Sequence, residues 1–418
     1  MSRSMRHNIL VRFIALAALS IFLPMPAKAF YEWHGVESFV SITGMTQVYG
    51  LVYKRPENIM LYEDNDKSGI AGIGRIIIDA GTGGALSLEA NAYQTYIPME
   101  LIAAQSGGGV TIPDAERSSA LEWSASKDNY IHTAVDRLNL RWSRDRIDVI
   151  IGRQPVNLAT NYYFTPNDFF AAFAAQTFYR VYKPGVDAAR AEVRLGNLSQ
   201  LSLIGALGYS PDENGDNGWS RSPETGRTSY LARISVNLHE FEWALIAGSL
   251  ADADVIGGSF QGEMLEWLDV KAEAHVARPE SPAQDRHAEV SLGIQHYWEN
   301  SLDLRLEYFY HGSGYDGASD YAAAYLKNGH GLYLGRHYSA LGIGYEFTPL
   351  LTSQMVLIGN LTDNSILASF NAVYSISNES ELSLGAAAPF GREAEGMNIK
   401  SEFGMYPSTA NIEWRWYF

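Results

Sequence analysis

From Ala410 the chain ends Ala-Asn-Ile-Glu-Trp-Arg-Trp-Tyr-Phe. Ala410, Ile412, Trp414, Trp416 and Phe418 are apolar; Asn411, Glu413, Arg415 and Tyr417 are polar or amphipathic. Period-two alternation describes a strand with one greasy and one wet face. The same pattern recurs along most of the chain. In a soluble sheet the greasy faces meet a core. Strands of this kind behind an export signal instead predict a closed barrel, with greasy faces in lipid and every backbone group paired.

The export signal is legible. Arg3, Arg6 and Arg12 make a basic start, residues 13–23 are largely apolar, and Ala27-Lys28-Ala29 offers a cleavage site before Phe30. The apolar run is too short to span a bilayer as a helix. The expected organisation is a cleaved signal over 1–29 and a single barrel domain over 30–418. There are no cysteines, which excludes disulfides, thiolate metal sites and covalently attached c-type haem. Barrel closure would supply the missing restraint. Removing the signal's four cations (Arg3, Arg6, Arg12, Lys28) leaves 27 Lys and Arg against 47 Asp and Glu, a net charge of −20. Such a balance disfavours nucleic acid.

Paired alternating runs joined by short turns predict an all-β, closed antiparallel transmembrane β-barrel. Counting runs gives about 18 strands, within a range of roughly 16–20, each of about 9–12 residues. The clearest hairpin runs from His287 to Trp298 and from Leu302 to His311, turning at Glu299-Asn300-Ser301. Further turns are expected at Ser143-Arg144-Asp145, Gly196-Asn197-Leu198-Ser199, Leu238-His239-Glu240 and Ser377-Asn378-Glu379-Ser380. The longest connections, at 99–128, 157–186, 210–228 and 312–336, fall on the end opposite these turns.

Alternation also assigns an inward face: Arg75, Glu89, Arg137, Arg141, Asp148, Arg190, Glu192, Arg194, Arg233, Glu242, Glu289, Asp303, Arg305, Glu307, Glu346, Glu413 and Arg415. On the lipid side each charge would cost about 2–4 kcal/mol near the midplane. Eight arginines and nine acids make a nearly neutral wall. They can brace one another across strands without binding anything.

The terminal strand ending in Phe418 resembles those of Gram-negative outer-membrane β-barrels. In that class the ending is read by the assembly machinery, which implies that Trp414, Trp416 and Phe418 form an insertion signal. Three further segments resemble porin-like and export-type barrels, alginate-export proteins among them. These are Ile151-Gly152-Arg153-Gln154, the stretch from Asn161 to Phe170 and Tyr182-Lys183-Pro184-Gly185-Val186-Asp187. Alginate-export barrels carry an arginine-rich path, whereas the wall here is balanced. The resemblance implies outer-membrane lipid and lipopolysaccharide as surroundings, and possible assembly into a homo-oligomer.

The 157–186 connection carries its own physical reading. Thr165-Pro166-Asn167-Asp168 looks like a capped helix start, continuing through Phe173, Gln176 and Tyr179. Either this aromatic loop packs on outer neighbours or it folds inward as a constriction. In the second case Arg153, Asp168, Phe169, Phe170, Arg180, Lys183 and Asp187 lie at the narrowing.

Signals for chemistry are weak. Asp64-Asn65-Asp66-Lys67-Ser68-Gly69 starts like a calcium loop, but its twelfth position is Arg75; Asp212 to Asn217 has poor spacing. His311 and His337, with Asp316 and Asp320, make no recognisable catalytic grouping. The expectation is a non-enzymatic channel without cofactor, passing small polar solutes or ions by diffusion. One alternative is a sheath around multihaem cytochromes in a porin–cytochrome conduit for extracellular electron transfer. Another is a substrate-specific export or uptake barrel.

Overall fold

The computed structural model describes residues 30–56, 67–98, 101, 116–126, 129–196, 198–212, 219–280, 285–321, 333–396 and 398–418. The export segment, Asp64 to Asp66 and residues 213–217 of the second acidic cluster lie outside them.

Twenty-two strands follow in chain order: β1 (Tyr31–His34), β2 (Ser38–Lys54), β3 (Lys67–Thr82), β4 (Leu86–Pro98), β5 (Glu122–Ser126), β6 (Asn129–Arg144), β7 (Ile147–Gln154), β8 (Val186–Arg194), β9 (Gln200–Ala206), β10 (Tyr209–Pro211), β11 (Trp219–Pro223), β12 (Ser229–Leu238), β13 (Phe241–Ser249), β14 (Ala253–Met264), β15 (Leu268–Pro279), β16 (His287–Tyr297), β17 (Leu302–His311), β18 (His337–Thr348), β19 (Leu351–Asn360), β20 (Ser365–Ser377), β21 (Ser380–Phe390) and β22 (Ser408–Tyr417). Eighteen form a closed antiparallel ring, because β22 pairs with both β21 and β2. β5 extends β6 at its outer end, and β10 and β11 form a separate small hairpin. β1 pairs with the start of β2, where β22 has already ended. Phe418 closes the seam by exchanging backbone hydrogen bonds with Gly44, at 2.8 and 3.0 Å.

Closure leaves the ring of eighteen without an edge strand, so it needs no disulfide to complete its pairing. The expected hairpin is present as β16 and β17, with paired strands from Glu289↔His311 to Tyr297↔Asp303. Turns 195–199, 239–240, 298–301 and 378–379 fall where alternation places them. The turn at Ser143-Arg144-Asp145 sits slightly later: β6 runs through Arg144, and Asp145 takes φ 51° before β7 begins.

The outward face is apolar along the ring, with Leu140, Ile151, Leu245, Ile256, Leu292, Leu384 and Ile412 exposed. Aromatics such as Trp243, Trp267, Tyr297, Phe347 and Tyr374 gather at the short-turn end. No helix among the described residues is long and apolar enough to cross a membrane.

One irregularity shifts the inward pattern. Opposite β4, β6 carries a bulge: Asn91 pairs with Arg137 and Ala92 with Val135, leaving Asp136 as the extra residue. A bulge places two consecutive side chains on one face. Asp136 and Arg137 both serve the interior, bonding Arg75 and Glu89 respectively.

Candidate functional site

The interior is governed by the connection between β7 and β8. It runs across the barrel and is fastened to the far wall. The Glu307 carboxylate on β17 accepts the backbone N–H groups of Tyr162, Tyr163 and Phe164 at 2.8–2.9 Å. Glu273 on β15 accepts that of Thr160 at 2.9 Å, and the Asn167 amide donates to the carbonyl of Gly258 on β14 at 3.0 Å. A buried carboxylate gathering several N–H groups makes strong, charge-assisted bonds. Tyr162 lies between two guanidinium groups, Arg180 at 4.3 Å and Arg305 at 4.1 Å from its ring centre. Of the two placements the sequence allows, the loop takes the inward one.

Packing completes the anchorage. Val156, Leu158 and Phe170 join an apolar cluster with Val186, Ile204, Leu231, Ile246 and Val255. Phe164 stacks on Phe309, and Tyr163 and Ala175 sit in a second cluster with Tyr338, Val356 and Ile358. Gly342 on β18 makes room for this: a Cβ there would meet the Tyr163 hydroxyl at 1.7 Å.

The expected helix does not form. Asp168 closes one turn through its N–H to the Thr165 carbonyl at 2.9 Å, and Ala171 adopts φ 54°, outside the helical region. The chain turns away after that single turn, at Ala171. The Asp168 side chain is drawn instead to the Lys183 ammonium. Burial pushes the Asp168 carboxyl up and the Lys183 ammonium down, each opposed by its partner.

The base of the loop explains the glycine-arginine-glutamine and lysine-proline-glycine-valine-aspartate segments. Gly152 takes φ 118°, and a Cβ there would meet the carbonyl of Leu138 at 2.2 Å, so only glycine fits beside the bulged strand. Arg153 grips Asp187 through two nitrogens, at 2.7 and 3.1 Å. Gln154 donates to the carbonyls of Ile150 and Ala188. A chain of alternating charge extends from there: Arg153 to Glu122 (3.5 Å), Glu122 to Arg117 (2.8 Å), Arg117 to Asp136 (3.0 Å) and Asp136 to Arg75 (2.8 Å).

A cavity of about 580 Å³ lies between loop residues 176–184 and the walls of β2–β4 and β20–β22. Thr177, Phe178, Tyr179 and Tyr182 form its loop side. Arg75, Asp136, Glu413 and Arg415 are its charged lining; Gln47, Thr95, Ser369, Asn371, Ser383 and Asn411 are among its uncharged polar lining. Arg75 lies over the rings of Tyr182 (4.3 Å) and Tyr93 (5.0 Å), and Arg415 over Tyr179 (4.5 Å).

The sequence-derived residues separate into three groups. Of the inward charges, Arg75, Glu413 and Arg415 reach the cavity. Glu307 holds the loop, and Arg305 stacks on Tyr162. Others brace the wall in pairs: Arg137–Glu89, Arg141–Asp148, Arg190–Glu192, Arg194–Asp148, Arg233–Glu242 and Arg305–Asp303. Glu289 pairs with His311, and Glu346 sits exposed near the short-turn end of β18. Arg153, Asp168, Phe170, Lys183 and Asp187 are held in the loop's anchorage rather than on the cavity surface. Phe169 packs on His275, and Arg180 is folded back onto the carbonyls of Thr177 and Ala175. Trp414 and Trp416 alternate with the inward Glu413 and Arg415, beside Phe418 at the seam.

His311 and His337 are not brought together with the acids: His337 bonds Tyr308, and Asp316 pairs with Arg336. Among the described residues no group of three or more His, Asp or Glu is arranged to hold a metal ion.

No protein-family model matches the chain, and no curated protein matches it by sequence. Solved structures do match. OccAB4 of Acinetobacter baumannii shares 9% identity over 92% of this chain and 98% of that one, with a TM-score of 0.57. OccK11 (OpdR) of Pseudomonas aeruginosa shares 12% over 93% and 99%, at 0.55. OccK8 (OprE) of the same organism shares 10% over 91% and 98%, also at 0.55. The fold is porin-like. At such identities the likeness extends to architecture and not to any side chain.

Several residues that shape the site carry no signal in the alternation. Asp136 is hidden by the bulge, Arg117 lies in a loop, and Glu273 is absent from the inward set; Glu307 is in that set, with nothing in the alternation to mark it as the loop's anchor. Tyr179 and Tyr182 flank Arg180 and Lys183, and only the fold shows that the rings, not those cations, face the opening.

Proposed function

We propose that this chain is an outer-membrane channel of porin type, through which small polar solutes or ions diffuse. The observation that carries this reading is the β7–β8 loop, pinned across the barrel so that a cavity of about 580 Å³, lined by charged, polar and apolar side chains, remains along one wall. A loop fixed by a buried carboxylate and two apolar clusters sets a constant aperture, and charges around it set the local field. No residue is required to do chemistry.

The outward band of leucine, isoleucine and aromatic side chains supports a place in a lipid bilayer, with the short turns periplasmic and the long loops outside. A signal over 1–29, lipopolysaccharide around the outer rim and recognition of Trp414, Trp416 and Phe418 by the assembly machinery belong to the same proposal. The cavity is of the size of a small-molecule site, about 300–1,000 Å³, which favours a solute channel over a sheath.

Planar-bilayer recording of the purified, full-length protein tests the proposal. Discrete single-channel currents are expected without any added partner, and deletion of 165–180 should enlarge them. A preparation that inserts but carries no current, or a deletion that leaves the current unchanged, would overturn it.

A further inference from the structure

We infer that the cavity selects neutral, hydroxyl-rich solutes of about monosaccharide size over charged ones of the same shape. This rests on the channel reading above and adds a solute class to it.

The first observation is that the cavity's cations are already matched. Arg75 bonds Asp136 at 2.8 Å and the Asn91 amide oxygen at 2.7 Å. Arg415 forms ion pairs with Glu381 at 2.9 Å and with Glu413 at 2.5 Å. Both guanidinium groups also lie on tyrosine rings, which fixes their planes and covers one face of each. A passing anion would have to displace a carboxylate held at hydrogen-bond distance, and a passing cation would have to displace an arginine.

The second observation concerns the facing wall. On β20 Ser369 lies in the cavity wall, its hydroxyl buried and without a partner within the protein, so the polar groups offered to a solute come from its neighbours. Two residues on, Asn371 accepts a bond from Ser383 at 2.8 Å, which leaves its amide N–H groups unused. Asn411 on β22 lines the same wall. Serine hydroxyls and carboxamides offer both donors and acceptors without charge, as alcohol groups do. A polyol can exchange its water for these groups one hydrogen bond at a time. A carboxylate or ammonium would lose far stronger hydration for the same contacts.

The test uses the full-length barrel in liposomes, comparing entry of glucose, glucuronate and protonated glucosamine. Bilayer recordings of the same preparation give KCl conductance and the potassium-to-chloride permeability ratio. Glucose is expected to enter fastest, with a permeability ratio near unity. Asn371→Ala should slow glucose by about two- to tenfold relative to glucuronate and glucosamine, the worth of lost hydrogen bonds. Asn371→Asp, nearly isosteric, should raise glucosamine entry and the potassium preference, and this gain does not depend on a loss of folding. Equal or faster entry of either charged sugar, or an Asn371→Ala variant that leaves glucose selectivity unchanged, would overturn the inference while the channel stands. A barrel that conducts neither KCl nor any sugar would overturn the channel reading itself.

Discussion

The carboxylate of Glu307, on β17, accepts the backbone N–H of Tyr163 at 2.9 Å across the interior of the barrel. The same group holds Tyr162 and Phe164. Glu307→Ala removes the acceptor and leaves three donors facing an apolar wall, at about 1–3 kcal/mol each. The loop is expected to leave its seat. Single-channel current should rise and become noisy; a current identical to that of the parent would show that the loop is held without this carboxylate.

Gly342→Ala puts a methyl group where the Tyr163 hydroxyl lies. The ring must move and take Phe164 with it. The substitution should therefore widen the channel, and in a Tyr163→Ala background it should have little further effect. Equal, additive changes in the two backgrounds would argue against the contact.

Arg153→Ala is expected to destabilise the barrel by about 3–5 kcal/mol, because Asp187 loses its buried cationic partner, while Glu122 keeps Arg117. Arg153→Lys should recover only part of this, since a single ammonium cannot reproduce the two-point grip on Asp187. Thermal unfolding followed by β-sheet circular dichroism measures both.

Glu402 gives the outer loops a pH dependence. It lies in the β21–β22 connection, bonded to the Tyr338 hydroxyl and, at 2.8 Å, to the Asn360 amide, with the Asp363 carboxylate nearby. Burial pushes its carboxyl up to about 7 from an ordinary 4.5. A raised acid binds its proton more tightly in the folded state, so this stabilisation is complete below about pH 4.5 and is lost as pH rises through about 7. Hydrogen exchange in the 391–407 connection should accelerate between those values, and Glu402→Gln should flatten the change. A profile that stays steep in the variant would place the titrating group elsewhere.

How much of this is readable in the chain follows from the length scale of each signal. Alternation is local, so strands such as β16 and β17, the turn at 298–301 and the inward face of Arg415 are legible residue by residue. The ring of 18 follows from counting such runs, and chain-end pairing through Gly44 and Phe418 completes it. The loop is different. Thr165 to Asp168 is a good helix start by local rules, yet it makes only one turn: the Asp168 side chain is on Lys183, fifteen residues later, and Ala171 leaves the helical region.

The chain by itself determined that alternate side chains face inward and outward, that the strands close, and that charges of both signs line the wall. Only the tertiary structure decided which of those charges brace the wall, which hold the loop and which see the opening. The reason is physical: side-chain facing is set by neighbours in sequence, whereas a loop's seat depends on carboxylates and apolar surfaces supplied by strands nearly half a barrel away.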